Sequence, residues 1–154
     1  MSHTKIWIHA VWATKCHHQF LINGIRDEVF SHMRENAKTK GIEINFINGV
    51  TDHVHCLIQM TGDQSASKVI QLIKGESSRW INQKKFFTKK FEWADKYFAG
   101  SVSESGIGKV RDYIRNQEQH HFKRTFTEEY DEFLERYGLK PIDSEEGDGQ
   151  PSQD

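Results

Sequence analysis

The sequence predicts an α+β fold of the ferredoxin-like kind. This is an antiparallel sheet built in the order βαββαβ, with both helices on one face and further helices after it. Three observations predict it. Residues 52–60, Asp-His-Val-His-Cys-Leu-Ile-Gln-Met, alternate with a period of two, as a strand does. Two stretches with apolar residues at helical spacing, 25–39 and 64–83, each stand between extended segments. Only a turn, at Asn48-Gly49 or at Thr51-Asp52, leads from the second extended segment into the third, so the two read as a hairpin.

Taken in order, Lys5–Ala13 is the first strand, with Ile6, Ile8 and Ala10 on one face and Trp7, His9 and Val11 on the other. A connection carrying His17 and His18 leads to the first helix, Ile25–Thr39, where Ile25, Val29 and Met33 recur. Gly41 is expected to stop it in a left-handed conformation. Ile42–Val50 is the second strand. In the third, Val54, Cys56, Ile58 and Met60 form an unbroken apolar side suited to a core, while His53, His55, Leu57 and Gln59 face the other way. The second helix spans Gln64–Gln83, with Ser65 or Ser67 as its cap. Phe86–Trp93 is an aromatic and basic connection, and Lys96–Ser103 the fourth strand. Gly106 and Gly108 read as a mobile link to a third helix, about Lys109–His121. A last helix runs from about Thr127 to Tyr137, ended by Gly138 and Pro141.

At 154 residues the chain is one domain with room for one core. No apolar run approaches the roughly 20 residues that span a bilayer, and the N-terminus lacks the pattern of a signal peptide. Cys16 and Cys56 form no Cys-x-x-Cys pair. Together these features predict a cytoplasmic, reduced protein without a disulfide framework or a membrane segment. The net charge of −1 hides a division. Residues 143–154 carry five acids and no bases, and are rich in Gly, Ser, Pro and Gln, which reads as a disordered tail. Residues 1–142 hold 21 bases against 17 acids, net +4, which permits a polyanionic partner without demanding one.

Two clusters carry possible chemistry. His53 and His55 stand side by side on one face of a strand, and neutral imidazole is a common ligand for divalent cations. Spacing alone does not separate a ligand pair from two half-exposed histidines that bind nothing, and in a chain with nine histidines it slightly favours the second. On the third helix Tyr113 and Gln117 are four apart and share a face, while Val110 and Ile114 form its packing stripe. An interfacial tyrosine with a surface glutamine reads as well. His120 and His121 fall off that face.

The motifs together resemble a known family. They are Ile-His-Ala-Val-Trp-Ala-Thr-Lys (8–15), Asp-His-Val-His-Cys-Leu-Ile (52–58) and Ile-Lys-Gly-Glu-Ser-Ser (73–78). Trp-Ala-Asp-Lys-Tyr-Phe-Ala-Gly-Ser-Val (93–102) and Val-Arg-Asp-Tyr-Ile-Arg-Asn-Gln (110–117) complete the set. In this order, over residues 3–137, they resemble the HUH nucleases, and among these the single-tyrosine, IS200-like transposases of the smallest bacterial insertion sequences. The resemblance implies that His53, His55 and Gln117 bind one Mg²⁺ or Mn²⁺ and that Tyr113 is the nucleophile. It implies cleavage and rejoining of single-stranded DNA through a covalent 5′-phosphotyrosine, without ATP, because the ester retains the bond energy. It further implies recognition of DNA hairpins and a homodimer whose active sites pair the histidines of one chain with the tyrosine of the other. No base beside Tyr113 is evident, although an ordinary tyrosine pKa near 10 demands activation.

The DNA surface is read from Lys68, Lys74, Arg79 and the lysines at 84, 85, 89 and 90, interleaved with aromatics at 86, 87, 91 and 93. A solvated helix face over core aromatics is an equal reading. Lys74, Ser77 and Ser78 match a family segment, and with Arg79 they are the DNA-contact candidates. The rivals are a domesticated hairpin-processing HUH nuclease, a replication initiator of that class, and a non-catalytic ferredoxin-like nucleic-acid-binding module. The module has no need for His53, His55, Tyr113 and Gln117 together.

Overall fold

The computed structural model describes residues 2–119 and 125–139. Four strands, β1 (Ile6–Ala13), β2 (Glu43–Gly49), β3 (His53–Met60) and β4 (Phe98–Val102), form one antiparallel sheet in the order β2-β3-β1-β4. With α1 (Ile25–Thr39) and α2 (Ala66–Lys84) as crossovers, this is the ferredoxin-like arrangement. Two more helices follow, α3 (Ile107–Arg115) and α4 (Phe126–Arg136).

The pleat sorts the side chains as the alternation demands. Ile8, Ala10 and Trp12 of β1 join Val54, Cys56, Ile58 and Met60 of β3 in one apolar core beneath α1 and α2. The other face carries two smaller clusters. Trp7 and Leu57 pack on Ile107 and Ile114 of α3, and Val11 and Phe98 pack on Phe133 and Leu134 of α4. Helices therefore cover both faces of the sheet.

Local chemistry fixes the ends. Gly41 takes φ +76, and the amides of Gly41 and Ile42 bond back to Lys38 O and Ala37 O, closing α1 with a Schellman turn. Ser65 caps α2 by accepting from Lys68 N. Fixed contacts tie the α3/α4 layer down. Asn48 Nδ2 donates to Ile114 O at 3.0 Å, and Arg111 donates to Asn45 Oδ1 at 2.6 Å. Tyr137 donates to Ser101 O at 2.9 Å. Gly100 makes that last contact possible, because a Cβ there would lie 2.6 Å from the Tyr137 ring.

One expectation changes, one open choice is decided and one boundary moves. Gly106 and Gly108 do not form an open link: Gly106 keeps a right-handed φ of −94° and Gly108 lies inside α3. One 3₁₀ turn, capped by Ser103, joins β4 to α3. The 86–93 aromatics face inward, where burial outweighs any use as an open stacking platform. Phe91 and Trp93 are buried in the main core, with Phe86 and Phe87 packed against it. Trp93 is also bridged to Thr14, so β4 starts later than expected, at Phe98. His120, His121 and the acidic tail lie outside the described residues.

Candidate active site

The site grows from the first two turns of β3. Pairing with β1 sets Ala13 opposite His53 and Val11 opposite His55, so both imidazoles stand on the α3/α4 face. Both are buried, not half-exposed. Their Nε2 atoms converge on one carboxylate: Glu129 Oε1 lies 3.2 Å from each. Among the described residues, His53, His55 and Glu129 are the group of His, Cys, Asp and Glu side chains able to hold a metal ion, their donor atoms all within 4.8 Å of one another. Glu129 reaches the site from α4, whose start is held by a capping box between Thr125 and Glu128.

Tyr113 meets the same carboxylate. Its hydroxyl donates to Glu129 Oε2, so nucleophile candidate and histidine pair share one acceptor. Gln117 follows one turn later. Helix α3 breaks at Asn116, but 117–119 are helical again. Gln117 is buried, and its Nε2 donates to Tyr113 O at 3.3 Å.

Each imidazole also has a partner behind it. Asp52 Oδ1 lies 2.8 Å from His53 Nδ1, and His9 Nε2 lies 2.9 Å from His55 Nδ1. Burial opposes charge on His53, but the Asp52 and Glu129 carboxylates outweigh it and raise its pKa to about 9. Burial also opposes charge on Glu129, yet bonds from His53 and His55 hold it well below the usual carboxylate range. Burial, then the hydrogen bond and charge of Glu129, push Tyr113 above the ordinary tyrosine range, against a smaller downward pull from Gln117.

The remaining candidates lie across the sheet, on α2. Lys74 donates to Ala94 O and Asp95 O, and burial lowers its pKa. Ser77 is enclosed, donating to Ile73 O and accepting from Trp93 Nε1, so its hydroxyl braces the core instead of facing a phosphate. Ser78 and Arg79 line a groove of about 900 Å³ with Lys74, Lys90 and Tyr97.

Sequence reasoning passed over Glu129 and His9, though both left a signal. Glu129 interrupts the apolar stripe Phe126, Tyr130, Phe133 of its helix, and His9 sits among the apolar residues of β1.

A tyrosine hydroxyl, a His-x-His pair and a carboxylate gathered on one face of a βαββαβ sheet bring a possible nucleophile beside possible metal donors, a set suited to phosphoryl transfer. The comparisons place the chain more narrowly. The family model for IS200-like transposases matches residues 2–117, and the chain belongs to that family. It is 27% identical over 114 residues to the ISDra2 transposase TnpA of Deinococcus radiodurans, covering 71% of this chain and 81% of that one. It is 27% identical over 126 residues to the transposase of insertion sequence IS200 from Salmonella typhimurium, covering 76% and 81%. A crystal structure of a candidate transposase from D. radiodurans superposes with a TM-score of 0.61 at 27% identity, over 75% of this chain and 93% of that one. The fold also matches a REP-associated tyrosine transposase bound to a REP hairpin, with a TM-score of 0.59 at 18% identity, over 100% and 94% of the two chains.

Proposed function

We propose that this transposase cuts and rejoins single-stranded DNA at insertion-sequence ends through a covalent 5′-phosphotyrosine on Tyr113, with Mg²⁺ or Mn²⁺ as cofactor. The observation that carries the reading is the shared carboxylate. Glu129 joins the Tyr113 hydroxyl to the His53–His55 pair, so the attacking oxygen and the metal-capable donors belong to one buried cluster.

The donor set fits a divalent ion. Two imidazole nitrogens and a carboxylate oxygen already converge, and a cation there would relieve the crowding of polar atoms in a buried site. Gln117 supplies an amide beside Tyr113 and belongs to the proposed set with His53, His55 and Glu129. When bound, the ion neutralises and polarises the scissile phosphate. The protein's own residues do the rest. Tyr113 oxygen bonds to phosphorus, the bond from phosphorus to the 3′ oxygen breaks, and the released 3′ oxygen takes up a proton. Glu129 Oε2 accepts the Tyr113 hydroxyl's hydrogen bond and orients its oxygen, and the proton passes on to solvent, because a carboxylate held this acidic is too weak a base to keep it. Rejoining reverses these steps with the 3′-OH of another strand. A negative Glu129 alone disfavours the phenolate, and a cation held by His53, His55 and Glu129 would offset that charge.

Lys74, Ser78 and Arg79 are proposed to contact hairpin DNA along the α2 groove. The neighbour solved with a REP hairpin makes such a ligand reasonable. A homodimer acting in the cytoplasm completes the reading; because Tyr113 meets the histidines of its own chain here, composite sites would require α3 to leave this seat for the partner.

A covalent trapping assay tests it. The full chain is mixed with end-labelled single-stranded DNA from its own genomic flanks and Mg²⁺ or Mn²⁺, then run on a denaturing gel. A metal-dependent adduct is expected, absent in Tyr113→Phe and in EDTA. Intact strand binding with no adduct would instead favour the non-catalytic binding module.

A further inference from the structure

His55 is buried, and its Nδ1 faces His9 Nε2 at 2.9 Å while its Nε2 faces the site. The two ring centroids are 5.1 Å apart with planes 30° from parallel. With two nitrogens this close, that separation places the rings edge to edge, joined by a hydrogen bond. His9 is itself buried and fixed. Phe133 packs edge-on to its ring at 5.2 Å, Tyr113 at 6.1 Å and Phe98 at 6.5 Å. The strand register places it diagonally from His55: His9 pairs with Leu57, and His55 with Val11.

A histidine that offers Nε2 to a cation must carry its proton on Nδ1, and that proton needs an acceptor. His53 has Asp52 for this purpose. A carboxylate would not serve His55 equally, because Phe133, Tyr113 and Phe98 wall that place with aromatic rings, which disfavour a second buried charge. A neutral imidazole can accept there.

We propose that His9 is a positioning residue: it accepts the Nδ1 proton of His55, fixing that ring's orientation and making Nε2 the deprotonated donor to the cation. The inference rests on the metal-binding reading above and concerns a residue outside the ligand set. The buried, aromatic-walled seat of His9 suits a neutral imidazole, as an acceptor must be. In the metal-free protein the same pair can bond in the opposite sense, with His9 donating to His55 Nδ1 and His55 Nε2–H donating to Glu129. With a cation in the site the His55 Nε2 proton would leave, the proton on His9 Nε2 would pass to His55 Nδ1, and His9 would stay neutral by taking up a proton on its own Nδ1, which reverses the bond within the pair.

The test combines long-range ¹H–¹⁵N spectra of histidine-labelled protein, with and without Mg²⁺, and Mn²⁺ affinity from the electron paramagnetic resonance of free Mn²⁺. Wild type, His9→Gln and His9→Leu are compared. Wild-type His55 should show one tautomer, protonated on Nδ1 when Mg²⁺ is bound. His9→Leu should lose the single tautomer and bind Mn²⁺ about 10-fold more weakly. His9→Gln, whose amide oxygen can accept, should recover most of both. A folded His9→Leu that keeps one tautomer and an affinity within about twofold would overturn the proposal, against the 10–100-fold cost usual for such partners. If His9→Leu does not fold, wild type decides: His55 with mixed tautomers, or Nε2-protonated with Mg²⁺ bound, overturns it. A wild type that binds neither ion would sink the metal reading. His9 would then be judged by whether metal-free His55 holds one tautomer in wild type and loses it in His9→Gln or His9→Leu.

Discussion

The two faces of the sheet are built from the same strands to different ends. Beneath α1 and α2 the buried surface is almost wholly apolar: Trp12, Val54, Cys56 and Ile58 are closed off with aliphatic and aromatic neighbours. Beneath α3 and α4 the apolar clusters are small, and between them lie His9, His53, His55, Gln117 and Glu129, all buried. Burying polar groups costs free energy unless every one is partnered. The second face meets that cost with a chain of contacts from Asp52 through His53, Glu129 and His55 to His9, with Tyr113 as a branch. The first face provides stability; the second spends some of it on a preorganised polar site.

Four measurements would break or sharpen this contrast. The largest effect should come from the apolar face. Trp12→Ala removes a fully enclosed indole and should cost about 3–5 kcal/mol in urea unfolding; a loss under 1 kcal/mol would mean that this face is not the main source of stability.

Next is pH, in metal-free protein. His53, raised from 6.5 to about 9, contributes stability that is complete below pH 6.5 and is lost as pH climbs through 9. The loss is up to roughly 3 kcal/mol. His9, depressed from 6.5 to about 3, acts in the opposite sense: its stability is present above pH 6.5 and is lost as pH falls toward 3. Stability should therefore peak near pH 6.5. A flat profile from pH 5 to 9, in a chemical-denaturation series, would contradict the buried network.

Glu129→Gln sharpens the same point. It removes one of the two carboxylates that hold His53 charged, so the alkaline loss should still begin near pH 6.5 but be smaller and end at lower pH than in wild type. An unchanged alkaline limb would assign the His53 shift to Asp52 alone. Mn²⁺ binding should weaken as well.

The smallest effect compares two helix caps. Ser65→Ala and Thr125→Ala should each cost about 1 kcal/mol, the first loosening α2 and the second α4. Only Thr125→Ala should speed amide exchange at Glu129 and weaken Mn²⁺ binding. Equal effects of both on the cation would argue that the site does not depend on α4 in particular.

Local pattern determined much of this protein. Alternation at 52–60 placed His53 and His55 on the face opposite the core, and helical spacing put Gln117 one turn beyond Tyr113, even across the break at Asn116. Gly41 and Ser65 marked helix ends that the structure bears out. These are short-range properties, set by backbone periods of 2 and 3.6 residues. Tertiary packing decided the rest. It turned Phe91 and Trp93 into the core, enclosed Ser77 beneath Trp93, and held Gly106 and Gly108 in helical conformations. Above all it brought Glu129, 76 residues after His53 in the sequence, between the two imidazoles, and set His9 behind His55 from the neighbouring strand. No local period encodes a meeting between distant segments; it exists only once the sheet register and the seat of α4 are fixed.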